Sequence, residues 1–390
     1  MDSGAIRRLG IGAAIGTVLA LPLAIEVRVR RAQQPQSAAW RDTSIEPRGS
    51  TALGISFRPP QITTLGLDLQ TSLAKLVEYP FQVIRLGAYW NRIERSPGGF
   101  DTRELDWQVE VAQRAGKQIV LCVGPLKTFG YPEFFVPRHR LPSGLPEHTL
   151  ITPSAYAPLL DAATEFAVRI VDRYRDHAGI VAWQVEHEAV DPLGMEHSWR
   201  LAEAFVASEV TAVRRADPSR PILMNGFLPV TWPVRLTQWF QTRDQGDSLA
   251  VAQRHADIVG IDYYPRHALA SLAGTTVYLD GTRTPWHRAR RNQLFAWART
   301  TGKRLMITEG QAEPWEAVTT PPNPHAQTMY SCPPEQLIAN YNRWLRRTRE
   351  AEVALDAYLF WGAEYWLLRH RSGDSSYLDA FGRVLDGAGG

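Results

Sequence analysis

Cysteine is nearly absent from this chain: among 390 residues there are two, Cys122 inside an apolar run and Cys332 in a proline-rich stretch. Two residues so placed build neither a disulfide framework nor a zinc motif. A dominant charge sign is missing as well. The 43 basic and 40 acidic side chains leave a formal charge of +3 and are spread along the sequence, which excludes the concentrated basic footprint of a nucleic-acid binder. The short basic stretch His287–Arg291 reads as the solvated face of a helix. Tandem repeats and low-complexity tracts are lacking. Gly87 and Gly124 stand alone after early apolar runs, so the glycine-rich phosphate turn of an open, doubly wound nucleotide-binding sheet is lacking too.

What is present is an ordinary globular composition, 44% hydrophobic and 21% charged, enough for one large core. Thirteen Trp and thirteen Tyr exceed what packing alone needs, and flat rings of this kind line clefts where sugars or other apolar faces stack.

The N-terminus differs in kind. Arg7 and Arg8 precede an uncharged run, Leu9–Ile25, at the low end of what spans a bilayer. Val18 and Ala20 make a poor small-residue cleavage site and the run continues past them, so an uncleaved single-pass anchor is expected, with a cleaved signal peptide as the alternative. Arg28, Arg30 and Arg31 on the far side leave orientation weakly encoded. A short basic segment before a first apolar run is export architecture, which places the bulk of the chain outside the cytoplasm. Residues 26–50, rich in Arg, Gln, Ser and Pro, read as a tether, and residues 51–390 as the catalytic domain.

From Leu53 onward short apolar runs alternate with stretches of helical period. Eight strands are expected, at 53–57, 82–89, 118–124, 180–187, 221–226, 258–263, 304–308 and 357–361. Helices are expected between them, at 67–78, 104–115, 154–175, 198–216, 290–301 and 334–350. Ser154 stands where an N-cap belongs, and Gly116 and Gly302 where a helix would end. Eight such units close naturally into a (β/α)8 TIM barrel with enlarged βα loops, the longest after the third, sixth and seventh strands.

Two of the runs end in polar groups. Trp183-Gln184-Val185-Glu186-His187-Glu188 and Met306-Ile307-Thr308-Glu309-Gly310 each deliver a carboxyl at a strand's end, and in a closed barrel these share one face. Two carboxyls across one cleft are the apparatus of glycoside hydrolysis. The first run resembles the strand-four signature of the clan A retaining glycoside hydrolases, closest to the bacterial β-galactosidase/cellulase-like group, where it reads Trp-Gln-Val-Asp-Asn-Glu. The likeness extends to Arg85-Leu86-Gly87-Ala88-Tyr89-Trp90, Gly260-Ile261-Asp262-Tyr263-Tyr264-Pro265, Ile307-Thr308-Glu309-Gly310 and Phe360-Trp361.

That resemblance implies Glu188 as general acid/base and Glu309 as nucleophile. It also implies Arg85 as the cation beside the nucleophile, Tyr264 rather than its neighbour Tyr263 as a hydrogen-bond donor to it, Trp361 as a sugar platform, and His187 and Trp90 as further substrate contacts. A carbohydrate is the partner it implies, with no cofactor and no metal. Glu188 requires a raised pKa, from burial near carboxylates such as Glu186, whereas Glu309 must stay ionised. Two positions depart from the pattern: His187 replaces the usual Asn, and Asp262 stands where related barrels carry Asn or His. Both suggest an unusual substrate. Rival readings are a metal-dependent hydrolase built on His187, Glu188, Asp191 and His197, and a membrane-tethered barrel that binds glycans without cleaving them.

Overall fold

The computed structural model describes residues 38–389 apart from 192–196, 230–235, 237–238, 241–244, 273–274, 282–283 and 316–330. Eight parallel strands form a closed barrel: β1 Ala52–Ser56, β2 Val83–Gly87, β3 Gln118–Cys122, β4 Ile180–Gln184, β5 Ile222–Phe227, β6 Ile258–Tyr263, β7 Arg304–Gln311 and β8 Leu355–Trp361. All eight lie where the apolar runs place them. Each hydrogen-bonds its sequence neighbours, and β1 closes the ring onto β8 through pairs such as Ala52 with Ala357. The helices that follow the strands in turn are α1 Leu69–Val77, α2 Arg103–Arg114, α3 Ala157–Tyr174, α4 Glu203–Ala216, α5 Ser248–His255, α6 Pro285–Thr301, α7 Pro334–Glu350 and α8 Ser376–Gly387.

Two layers explain the barrel interior. Val83, Val120, Ala182, Leu223, Ile258, Met306, Ala357 and Leu359 form a separate apolar cluster, one or two residues from each of β2 to β8, with Ala52 of β1 packed against it. Successive side chains on a strand alternate faces, so the residues two further on also point inward. On four strands these are Arg85, Gln184, Asn225 and Thr308, all buried. The interior therefore changes from apolar to polar toward the strands' C-terminal ends. The outer core, between sheet and helices, takes the opposite parity, for example Ile84, Leu86, Ile119, Leu121 and Trp183.

Several local expectations change on folding. The helix begun by Ala157 has Tyr156 at its N-cap without a side-chain bond, so Ser154 is not the cap. Gly302 does cap α6 in the left-handed conformation, and Gly116 adopts it just past the end of α2. α6 starts earlier than its periodicity indicates, and its His287 and Arg291 turn inward, so this basic stretch is only partly solvated. Further helices, short or close to the sequence's end, form at 59–64, 90–93, 248–255, 363–371 and 376–387. The loop after β6 forms an antiparallel hairpin, Arg266–Leu272 with Thr275–Asp280.

The expected membrane run Leu9–Ile25 lies outside the described residues. Among the described residues no helix is long and apolar enough to cross a membrane. Ala38–Asp42 forms a 3-10 turn with Trp40 buried, and Glu46 pairs with Arg346 and Arg349 of α7. The stretch expected to be a tether is thus bound to the barrel over its described part.

Gly54 shows how tightly β1 and β2 approach: a Cβ there would stand 1.9 Å from the Val83 carbonyl oxygen. Gly54→Ala is expected to cost about 1–3 kcal/mol, the usual penalty of overpacking, as a lower urea midpoint with an unchanged slope.

Candidate active site

The inward polar layer forms one connected network. Arg85 on β2 donates from Nε to Gln184 Oε1 (2.7 Å) and from a terminal nitrogen to Glu309 Oε1 (2.9 Å), with its guanidinium 3.9 Å over the Phe129 ring. Tyr264 Oη donates to Glu309 Oε2 at 2.5 Å. Tyr263, of opposite parity, is buried in the outer core, where its hydroxyl accepts from Arg343. The tyrosine chosen by resemblance is the one that meets the nucleophile candidate.

Asn225 on β5 is a hub that sequence reasoning missed. Its Nδ2 donates to His187 Nδ1 (2.9 Å) and to Asp262 Oδ2 (2.6 Å), while its Oδ1 accepts from Gln184 Nε2 (3.0 Å) and the Glu188 backbone N–H (3.3 Å). Because His187 Nδ1 receives that donor, the neutral imidazole carries its proton on Nε2. Burial, together with the charges on Arg85 and Lys127, holds the His187 pKa well below the usual histidine range. Thr308 Oγ1 donates to the other oxygen of Asp262 at 2.8 Å. The one available signal for Asn225 was its parity with Gln184 at the end of an apolar strand.

Beyond β4 the chain leaves regular structure. Glu186 and Glu188 both have positive φ, 53° and 45°, so successive side chains here do not follow strand alternation. Glu186 turns away from the opening, accepting the backbone N–H groups of Leu126 (3.1 Å) and Lys127 (2.5 Å). Lys127 in turn donates to the carbonyls of Glu188 (2.9 Å) and Asp191 (3.5 Å). Gly124 is needed for this junction, since a Cβ there would meet the Glu186 nitrogen at 1.9 Å.

Glu188 is half-buried, and its carboxyl has no hydrogen-bond partner among the described residues. Burial pushes its pKa well above the carboxylate range, reinforced by Asp191, Asp262 and Glu133. The carboxylates that raise it are therefore these three; Glu186, expected in that part, instead grips the neighbouring loop. Burial and Asp262 also push Glu309 up, to about 8, against the pull of Arg85 and Tyr264. Both glutamates adjoin one imidazole: Glu309 Oε1 is 3.6 Å from His187 Nδ1, and a Glu188 oxygen lies within 4.8 Å of a His187 ring nitrogen.

Trp361 ends β8 with a small exposed edge, 4.1 Å beneath the guanidinium of Arg58, which is itself held by Glu313 and Glu364. Its ring meets Phe129 edge-on, so it belongs to the same wall as Arg85. Trp90 does not join the site. It is fully buried, donates its indole N–H to Glu94 and stacks on Phe166 of α3, because the turn after β2 aims it at the helical layer.

The rival metal set also separates. His197 is stacked on Trp199 and bonded to Glu147 at the surface, away from His187 and Glu188. Glu133, His187 and Glu188 approach one another closely, as do His187, Asp262 and Glu309. Asn225, Thr308 and Tyr264 bond the ligand atoms of the second trio, whereas Lys127 reaches the first only at the Glu188 carbonyl and leaves its two carboxyls without a hydrogen-bond partner among the described residues.

A scan against protein-family models finds no match, and a search of curated proteins finds none. Among solved structures, the chain is similar to a GH5_18 enzyme from Streptomyces cattleya in complex with GlcNAc, at 14% identity and TM-score 0.51, covering 81% of this chain and 71% of that one. It is similar to a β-galactosidase from the haloarchaeon Halorubrum lacusprofundi, at 15% identity and TM-score 0.50, covering 86% and 58%. It is also similar to Gan42B, a GH42 β-galactosidase from G. stearothermophilus, at 12% identity and TM-score 0.51, covering 89% and 58%.

The raised carboxyls bear on stability. Glu133 and Glu186, both pushed up to about 7 by burial, and Glu188, pushed well above the carboxylate range, keep protons that the unfolded chain releases near pH 4.3. As pH rises past 6.5 the buried imidazoles oppose this progressively less, since the unfolded chain sheds their protons around that pH. Stability is expected to fall from pH 6.5 to 8, by about 1.4 kcal/mol per pH unit for each proton retained. The thermal midpoint of the ligand-free protein across that range checks it, and a flat or rising midpoint would show the carboxyls to be ionised throughout. By strand order, closure and helix placement, the chain has a closed (β/α)8 barrel, the fold of the glycoside hydrolase structures it is similar to.

Proposed function

We propose that the chain is a retaining glycoside hydrolase, cleaving O-glycosidic bonds of a glycan or polysaccharide by double displacement. The observation that carries this most is Glu309, clamped at the barrel mouth by Arg85 and Tyr264 on its two oxygens, with Glu188 at the same opening and its carboxyl without a donor among the described residues. A carboxylate held by two donors is oriented for attack. A carboxyl deprived of them holds its proton for delivery.

In the first step Glu309 attacks the anomeric carbon, while Glu188 gives its proton to the departing glycosidic oxygen, leaving a glycosyl ester on Glu309. Glu188, now a carboxylate, takes a proton from water, whose oxygen attacks the anomeric carbon and frees Glu309. Asp262, held beside the nucleophile by Asn225 and Thr308, favours positive character at the sugar in the transition state when it is ionised. His187 offers only an N–H donor, so it selects a sugar substituent with an acceptor oxygen where Asn would serve either role. Trp361 supplies the apolar floor.

Glu309→Gln is expected to abolish turnover of aryl glycosides. Glu188→Ala should cripple it on poor leaving groups and spare much of it on activated ones, since the nucleophile persists. A mechanism-based fluoro-sugar should label Glu309, and a chelator should leave the rate unchanged. Unaltered activity in either mutant would end this assignment; labelling failure in a folded protein that still binds glycans would favour the non-catalytic barrel.

The run Leu9–Ile25 is read as a single-pass anchor, with the catalytic barrel outside the cytoplasm, or secreted if the run is cleaved. The full chain should then remain with membranes through an alkaline carbonate wash. Release into the supernatant at full length would sink the anchor.

A further inference from the structure

Among the described residues five other than glycine have positive φ, and two of them, Glu133 (70°) and Glu188 (45°), are glutamates beside His187, with Glu186 (53°) two residues before Glu188. Non-glycine backbone of this kind persists only where its surroundings hold it, and it gathers at working sites. Glu186 binds the Lys127 loop and Glu188 is the proposed acid/base. Glu133 has no part in the reaction as written.

Glu133 lies in the enlarged loop after β3, where its backbone N–H donates to the Gly130 carbonyl (2.7 Å). Its half-buried carboxyl has no hydrogen-bond or ion-pair partner among the described residues. One of its oxygens, an oxygen of Glu188 and a ring nitrogen of His187 lie within 4.8 Å of one another. A strained loop therefore brings an unpaired carboxyl against the group that must carry a proton.

We propose that Glu133 is a positioning residue for the acid/base: its carboxylate faces Glu188 and keeps the proton there into the alkaline range, making this a site of three carboxyls. The proposal rests on the glycosidase assignment above. Two carboxyls this close do not both ionise readily, so the proton lost last by the pair is retained near the leaving oxygen. Glu133 itself neither gives nor takes a proton in the reaction; the proton on Glu188 passes to the departing oxygen and returns from water. The other charges facing Glu188 are Asp191 on its own loop, Asp262 on β6 and Lys127 on the loop after β3, with His187 kept neutral; Glu133 also faces Lys127, Asp191 and Glu309. Lys127 is an opposing cation near both carboxyls, and a further negative group offsets its pull on the proton.

The test is the pH profile of kcat/KM on an aryl glycoside for the full chain. In Glu133→Gln the alkaline limb should move down by about one pH unit, as expected for loss of a like charge at this range, while the rate on the acid side changes far less. Glu133→Asp should restore most of the limb. A limb that stays in place, or a loss equal at every pH, overturns the proposal, the latter marking Glu133 as structural or as the acid itself. Circular dichroism and the urea midpoint of both variants separate misfolding from these outcomes. Should the wild type cleave no glycoside, the hydrolase assignment fails by itself. Titration of Glu188 by carbon-13 carboxyl NMR, in wild type and Glu133→Gln, still decides whether Glu133 raises it.

Discussion

The ion pair between Arg85 and Glu309 is the constraint around which the rest is arranged. It joins β2 to β7 across the mouth of the barrel, with both partners buried. Two charges taken out of water repay their desolvation only when geometry is good and the remaining donors are satisfied, and removing one partner strands the other at a cost of about 3–5 kcal/mol. Here Gln184 takes the guanidinium's Nε, Phe129 lies flat beneath it, and Tyr264 takes the second oxygen of Glu309. Each supporting group stands on a different strand or loop, so the pair exists only in the closed ring.

The same network distributes charge unevenly. Of the two glutamates Arg85 and Tyr264 bond only Glu309, whereas Glu188 has carboxylates around it and no hydrogen-bond donor on its carboxyl among the described residues. Burial acts on both, and the difference between them comes from partners. Asn225 links the two halves: it fixes the His187 tautomer, satisfies Asp262 and receives the Glu188 backbone N–H. The acid/base is thereby held through its main chain, leaving its carboxyl unencumbered.

Much of the barrel was readable because its signal is local. Short apolar runs of β-branched residues alternating with amphipathic helices specify βα units, and strand alternation carries Val83 to Arg85 and Met306 to Thr308 on one inward face. Glu188, Glu309, Arg85, His187, Tyr264 and Trp361 do gather at one end of the barrel. Trp90 was misplaced because a short helical turn after β2 breaks the strand parity that would have faced it inward. Glu133 and Asn225 were overlooked for opposite reasons: one sits on an irregular loop with no pattern to mark it, the other in a strand interior where a single Asn looks incidental.

By itself, then, the order of residues determined the eight strands, the helices between most of them, and which two glutamates stand at the carboxyl ends of distant runs. These follow from period, propensity and short-range sterics, which act within a few residues. Tertiary structure alone decided which groups surround each carboxyl, and hence which one keeps a proton. Desolvation and charge pairing depend on distances across the ring, between residues as far apart as Arg85 and Glu309, and those distances come into being only when β1 closes onto β8.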